Sequence, residues 1–172
     1  MNKIIKEPKT SALLNQLFSV LPNMSNHHSP SDDFHLLLKI AIRKEVEDIF
    51  SKDKSAEVSI QPYGKIVFPY HNMGEIDTLN LFDLDELIIF SFYWSGRNRY
   101  RKVLDLGANL GLHSIILSKC GYDVKCYEPD PIHFDILKEN LRLNDISSVE
   151  PINAAISYKT GEAEFIRVKG NT

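Results

Sequence analysis

The sequence predicts an α/β fold in which a doubly wound, Rossmann-like parallel sheet occupies the later part of the chain. Three observations after Lys102 support this. Short apolar runs alternate with helical patterns, the first run leads into a glycine-containing turn, and the second run ends on the acid Glu128. The predicted strands are 102–106, 123–127 and 149–153, and the predicted helices are 111–119 and 131–143. A further strand is expected over 163–168.

Residues 34–101 are expected to form an α+β segment ahead of this sheet. Asp33 is predicted to cap a helix over 34–50. The side chains expected on its buried face are Leu37, Ile40, Ala41, Val46 and Ile49. Two short strands, 57–60 and 65–68, are expected around a Pro- and Gly-containing turn, followed by a helix over 83–94.

Residues 1–33 are interpreted as an N-terminal extension and linker. Ser11 to Leu21 has the spacing of a short amphipathic helix, and 22–33 is rich in turn-forming residues. The domain boundaries that follow are 1–33, 34–101 and 102–172.

Composition excludes several classes of protein. Twenty basic and 23 acidic residues give a net charge of −3, which offers no electrostatic basis for nucleic-acid binding. No apolar run approaches the roughly 18 residues of a membrane span, and the N-terminus lacks the pattern of a signal peptide. With only Cys120 and Cys126 as cysteines, the expected location is the cytoplasm. His27 and His28 have no partners at metal-ligand spacing, so no metal is expected.

The turn after the first strand of the parallel sheet distinguishes two nucleoside cofactors. A dinucleotide fingerprint would place glycine at 107, 109 and 112, but only Gly107 fits, because the other positions hold Asn109 and Leu112. Asp105 adds a carboxylate where a pyrophosphate would be repelled. S-adenosylmethionine carries an ammonium and a sulfonium group instead. The turn, which ends at Gly111, therefore favours S-adenosylmethionine over NAD.

Glu128 is the strongest individual candidate, because a carboxylate at the end of the second strand can accept both ribose hydroxyls. The alternative is a surface acid. Asp130 is interpreted as a helix cap, and Asn153 or Ala154 as adenine neighbours or simple packing residues. His113 is expected to be a first-turn surface residue. The residues predicted to bind the cofactor are Asp105, Gly107, Asn109, Gly111, Glu128, Asn153 and Ala154.

The stretch 102–172 resembles the FkbM-type methyltransferases. The matching segments are Val103-Leu-Asp-Leu-Gly-Ala-Asn-Leu-Gly111, Tyr127-Glu-Pro-Asp-Pro131, Asn140-Leu-Arg-Leu-Asn144 and Asn153-Ala-Ala-Ile156. The resemblance implies a class I S-adenosylmethionine-dependent methyltransferase fold. It also implies O-methylation of a small-molecule acceptor, such as a hydroxyl of a sugar or natural product.

A doubly wound sheet has two halves, and residues 102–153 account for one of them. The methyltransferase fold is therefore predicted to be truncated after the third parallel strand, whose open edge would need a partner or a missing C-terminal segment. Two functions remain open. One is a methyltransferase, or an inactive fragment of one. The other is a non-catalytic nucleoside-binding or protein-interaction module. The pattern assigns no catalytic residue.

Overall fold

The structure, a computed structural model, describes residues 9–54 and 56–162. These residues form two three-stranded sheets with helices packed against them. The strand expected over 163–168 lies outside the described residues. The elements of the first sheet and its helices are β1 (Lys9–Thr10), α1 (Ala12–Val20), α2 (Asp33–Phe50), β2 (Glu57–Ile60), β3 (Gly64–Val67), α3 (Thr78–Leu81) and α4 (Leu84–Gly96).

The second sheet confirms the predicted α/β class. Its strands are β4 (Lys102–Leu106), β5 (Asp123–Tyr127) and β6 (Glu150–Ile152), and its helices are α5 (Leu112–Lys119) and α6 (Pro131–Leu143). The strands run parallel in the order β4-β5-β6, with Leu106 opposite Tyr127 and Tyr127 opposite Ile152. Each pair of strands is joined through a helix, as in a Rossmann-like fold.

The two faces of this parallel sheet differ. Val124 and Cys126 of β5 are buried, whereas Leu104 and Leu106 of β4 are 64% and 55% exposed. Alternate residues of a strand point to opposite faces, so one face of the sheet is open at β4, while Lys125 and Tyr127 on the same face of β5 are partly buried. Among the described residues, the outer edges of β4 and β6 pair with no other strand.

The extension joins the first sheet directly. β1 pairs with β2 in parallel, and β2 pairs with β3 in antiparallel fashion. Ser11 caps α1 by accepting a hydrogen bond from the backbone N–H of Leu14, at 3.1 Å. Two 3₁₀ turns, Leu21–Asn23 and Ser25–His27, lie at the start of the expected linker.

The start of α2 corrects one prediction. Asp32, not Asp33, is the N-cap, because its Oδ1 accepts hydrogen bonds from the backbone N–H groups of Phe34 (3.0 Å) and His35 (3.1 Å). Asp33 is instead the first residue of the helix. The helix dipole favours an acid in the first turn, just as the N-cap position favours aspartate. Asp32 and Asp33 therefore both suit the start of a helix, and the sequence alone does not show which of them is the cap.

The buried side of α2 was also predicted wrongly in part. Val46 and Ile49 are buried as expected, but Leu37 and Ile40 are 61% and 71% exposed, and Ala41 is exposed too. The observed buried stripe contains His35, Ile42, Val46, Ile49 and Phe50. Apolar residues occur on both sides of this helix, so periodicity alone did not identify the packed side.

The two halves of the described chain share one continuous hydrophobic core. A polar contact also joins them. The side-chain amide of Asn144 accepts a hydrogen bond from the backbone N–H of Val67 at 3.0 Å and donates one to the Val67 carbonyl at 2.7 Å. This amide, which follows α6, therefore pairs with the end of β3 as a neighbouring strand would.

In the part of the chain that is described, no helix combines the length and the apolar character needed to cross a membrane.

Candidate cofactor site

The turn between β4 and α5 is fixed by backbone hydrogen bonds. The N–H groups of Gly107 and Ala108 both donate to the carbonyl of Tyr127, at 2.9 Å each, and the N–H of Gly111 donates to the carbonyl of Ala108 at 2.8 Å. Gly107, Asn109 and Gly111 all have positive φ angles, of 77°, 51° and 85°. The turn is thus held against the carboxyl end of β5, where ligands bind in open α/β sheets.

The two glycines of this turn face different surroundings. A β-carbon placed on Gly111 would lie 2.9 Å from Cγ of Leu137, so α6 packs directly against this position. At Gly107, no atom of the described residues lies within 4 Å of where a β-carbon would be. Gly111 therefore permits close packing, whereas Gly107 borders open space.

The Glu128 carboxylate connects two loops. Oε2 accepts a hydrogen bond from the backbone N–H of Asn109 at 2.6 Å, and Oε1 accepts one from the backbone N–H of Asp130 at 2.8 Å. The residue is only 5% exposed, so the alternative of a surface acid is wrong. Each carboxylate oxygen has a second lone pair, which leaves acceptor capacity for a ligand.

Two further acids are held in place at this edge of the sheet. Asp130 is the N-cap of α6, as predicted, since its Oδ1 accepts a hydrogen bond from the N–H of Ile132 at 2.8 Å. The hydroxyl of Ser114, in the first turn of α5, donates to Oδ2 of Asp105 at 2.6 Å. The Asp105 carboxylate is therefore tied to the helix that follows the turn.

Asn153 and Ala154 follow β6 and border a cavity. The Asn153 amide donates hydrogen bonds to the carbonyls of Glu128 (2.8 Å) and Pro129 (3.2 Å). The adjoining cavity has a volume of about 700 Å³ and is lined by Pro129 and residues 153–162. Asn153 thus links the end of β6 to the loop that carries Glu128.

Two asparagines near the turn have buried polar atoms. Oδ1 of Asn109 and Oδ1 of Asn140 are buried and have no hydrogen-bond partner among the described residues. The Asn140 amide donates to the carbonyl of Leu110 at 2.9 Å and so supports the turn from α6. Sequence reasoning did not assign this role to Asn140. The segment from Asn140 to Asn144 had been used only as one of the stretches that resemble the FkbM-type methyltransferases.

The surroundings of His113 differ from those of an ordinary surface residue. Its Nδ1 lies 2.9 Å from the hydroxyl of Tyr93, and its Nε2 lies 3.0 Å from Oε2 of Glu86. The imidazole is therefore held at both nitrogens by side chains of α4. Burial, together with the negative charges of Asp105 and Glu86, raises the pKa of Tyr93 to about 12. Glu86 and Tyr93 are seven residues apart, so they share a face of α4, but nothing local pairs them with His113.

Part of the chain is similar in sequence to a methyltransferase. No protein-family model matches the chain. The chain is similar to methyltransferase sdnD of Sordaria araneosa, with 36% identity over 62 residues, or 34% of this chain and 24% of that protein. The match thus spans about a quarter of the length of that curated relative.

Two solved structures are also similar. The S-adenosylmethionine-dependent methyltransferase from Agrobacterium tumefaciens has a TM-score of 0.39 and 17% identity, over 41% of this chain and 24% of that one. A protein-L-isoaspartate O-methyltransferase has a TM-score of 0.43 and 15% identity, over 81% of this chain and 41% of that one. The fold assignment rests on the strand order and helix positions of this chain.

Among its described residues, no cluster of His, Cys, Asp and Glu is placed to hold a metal ion.

Proposed function

We propose that this chain binds S-adenosylmethionine and is part of a methyltransferase acting on a hydroxyl oxygen. The observation that carries the proposal is the open space at Gly107, next to the anchored carboxylate of Glu128. Both lie at the carboxyl edge of a parallel sheet, which is where this class of fold holds its nucleoside ligands. The sequence similarity to a methyltransferase supports the same reaction class.

The residues present fit such a cofactor. A side chain at position 107 would fill the space that borders the turn, so glycine keeps the space free for a ligand. Oδ1 of Asn109 is buried without a partner among the described residues, and a ligand donor would satisfy it. The anionic Asp105 favours a cofactor that carries positive charge over one with a pyrophosphate.

Each predicted residue has a proposed role. Glu128 accepts hydrogen bonds from the ribose hydroxyls through the lone pairs that its two backbone contacts leave free. Asn153 and Ala154 border the adenine ring, since they line the cavity beside β5 and β6. The first N–H groups of α5 hold the methionine carboxylate, as helix N-termini hold anions in general.

When bound, S-adenosylmethionine would supply a methyl group on a positively charged sulfur, which an acceptor oxygen would take by in-line displacement. The chain contributes by holding the reactants in line and excluding water from them. FkbM-type motifs support a sugar or natural-product hydroxyl as the acceptor. The two cysteines are free and buried, which supports the cytoplasm as the proposed location.

The open face of the parallel sheet supports a partner or a further segment that completes it. Leu104 and Leu106 are exposed on this face. In the doubly wound order, the fourth strand lies beside the first, so the completing strand pairs with β4. The outer edge of β6, the third parallel strand, is also unpaired among the described residues, in agreement with the open edge predicted there. The same apolar face favours the second candidate function, a module that binds another protein rather than catalysing a reaction.

Calorimetry with S-adenosylhomocysteine tests the proposal, with NAD titrated under the same conditions. Tighter binding of S-adenosylhomocysteine than of NAD is expected, because the turn has glycine at only one of the three positions that a dinucleotide requires. Tighter binding of NAD would overturn the assignment. Release of S-adenosylhomocysteine in the presence of hydroxyl acceptors then separates the enzyme from the non-catalytic module.

A further inference from the structure

The contacts of His113 favour one tautomer of its imidazole. Oε2 of Glu86 lies 3.0 Å from Nε2 without forming a hydrogen bond to it, and its negative charge favours the neutral tautomer that carries the proton on Nε2. Nδ1 is then the acceptor, and the Tyr93 hydroxyl donates to it across 2.9 Å. The high pKa of Tyr93 agrees with this direction, because the phenol keeps its proton near neutral pH.

The resulting order is phenol, imidazole, carboxylate. The three groups follow one another in the same order as in a hydroxyl–histidine–acid triad. In such a triad the acid fixes the imidazole tautomer and stabilises the imidazolium that forms. Here Oε2 of Glu86 is fully covered, and its contact in the structure is the ion-pair geometry with His113. A positive charge on the imidazole would therefore lie 3.0 Å from a half-buried carboxylate of opposite charge.

The position of this group relative to the proposed site suggests proton chemistry. His113 is the second residue of α5 and lies two residues after Gly111, the end of the cofactor turn. Its neighbour Ser114 is hydrogen-bonded to Asp105 at 2.6 Å. The His113 side chain keeps 32% of its surface exposed, and the ring packs edge-on against Phe90 with centroids 5.3 Å apart. The group thus joins α4 to the first turn of α5, and part of the His113 side chain is exposed.

We propose that Tyr93, His113 and Glu86 form a proton relay that deprotonates the acceptor hydroxyl, an inference that rests on the proposed function. The acceptor oxygen bonds to the methyl carbon while the sulfur–carbon bond breaks, and its electron pair stays on sulfur. The acceptor proton passes to the Tyr93 oxygen, and the Tyr93 proton passes to Nδ1 of His113. The imidazolium remains paired with Glu86 until it releases the proton to water.

In the proposed relay the Tyr93 oxygen takes the acceptor proton directly, so Tyr93 is its catalytic residue. His113 and Glu86 act through it. The test uses the full-length product of the gene that carries this sequence, a panel of alcohol and phenol acceptors, and the variants Tyr93→Phe, His113→Gln and Glu86→Gln. Turnover is followed by released S-adenosylhomocysteine, and affinity for S-adenosylhomocysteine by calorimetry.

Both Tyr93→Phe and His113→Gln are expected to lower kcat by about 100-fold or more, the usual contribution of general acid–base catalysis. Affinity for S-adenosylhomocysteine is expected to stay within about twofold, since neither variant changes a residue proposed to bind the nucleoside. A solvent deuterium isotope effect on kcat is expected in the wild type and absent in Tyr93→Phe. A purely structural role would not produce that signature.

Tyr122→Phe is the matched control. The Tyr122 hydroxyl donates to the backbone carbonyl of Tyr93 at 2.8 Å, so this variant removes a phenol hydroxyl from the same helix junction without touching the imidazole. Its kcat should match that of the wild type. Unchanged kcat in Tyr93→Phe would overturn the relay and leave the proposed function standing. A wild type that binds S-adenosylhomocysteine but methylates no hydroxyl acceptor would overturn both.

Discussion

The two ends of the cofactor turn contain the same residue type in nearly the same backbone conformation, but for different reasons. Gly107 and Gly111 have φ angles of 77° and 85°. At Gly111 a β-carbon would collide with Leu137, whereas at Gly107 it would meet open space in the described structure. Glycine at one end therefore serves packing, and at the other end it borders the space proposed for the ligand. Substitution of Gly107 should therefore lower ligand affinity, whereas substitution of Gly111 should lower the free energy of unfolding.

The largest effect is expected at the open end of the turn. Gly107→Val should abolish binding of S-adenosylhomocysteine, with a loss of at least about 100-fold, or roughly 2.7 kcal/mol. The branched side chain would occupy the space proposed for the cofactor. Calorimetry on the folded variant measures the loss. Wild-type affinity would mean that no cofactor approaches this turn.

Gly121→Val provides the control for backbone strain. Gly121 has a φ of 88° and, like Gly107, no atom of the described residues near its β-carbon position, but it lies in the turn before β5. Both variants should lose similar stability, about 1–2 kcal/mol for a left-handed residue with a side chain. Only Gly107→Val should lose affinity.

At the packed end, Gly111→Ala should lower the free energy of unfolding by about 2–4 kcal/mol. This figure combines the cost of a left-handed non-glycine residue with that of overpacking against Leu137. Urea denaturation measures it. A double-mutant cycle with Leu137→Ala tests the collision. Because the smaller side chain relieves it, the double variant should lose less free energy of unfolding than the two single variants lose together. Strict additivity would show that Leu137 does not oppose the added methyl group.

Glu128→Ala should weaken binding of S-adenosylhomocysteine by about 1.5–3 kcal/mol, the range for hydrogen bonds to a charged group. Stability should fall too, because the carboxylate also accepts hydrogen bonds from the backbone N–H groups of Asn109 and Asp130. Asp130→Ala is the matched control. It removes a helix cap at a cost of about 1 kcal/mol and should leave affinity unchanged. An equal loss of affinity in both variants would contradict a direct role for Glu128.

The smallest effect concerns pH and the far end of α5, where Cys120 is buried. Burial raises the pKa of this thiol from 9.0 to about 12. The folded chain thus holds the proton to higher pH than the unfolded chain, so stability is full below pH 9 and falls as pH rises towards 12. Between pH 8 and pH 10 the loss should be about 1.4 kcal/mol. Cys120→Ala should remove that part of the pH dependence in urea titrations.

Local sequence patterns predicted most of the fold. The three parallel strands and their two helices agree with the prediction within about a residue or two, because apolar runs, Gly and Pro act locally. The errors arose where one local sequence pattern is compatible with two structures. Asp32 and Asp33 both suit a helix start, and α2 has apolar residues on both sides.

The site was predicted less completely than the fold. Motif spacing singled out Gly107 and Glu128, but it did not show that Glu128 is anchored by two backbone N–H groups. The pairing of His113 with Tyr93 joins residues 20 positions apart on different helices. Such a contact depends on how α4 packs against α5, and no periodicity within either helix encodes it.

The amide of Asn144 has a consequence for how the two halves of the chain can diverge. Both of its hydrogen bonds to Val67 involve the main chain, so the joint does not depend on which side chain occupies that strand position. A different side chain at position 67 would leave both hydrogen bonds in place, provided that the strand end stays where it is. At this contact the later half of the chain therefore sets no requirement on side-chain identity, and sequence change at position 67 is limited only by the hydrophobic core that the two halves share.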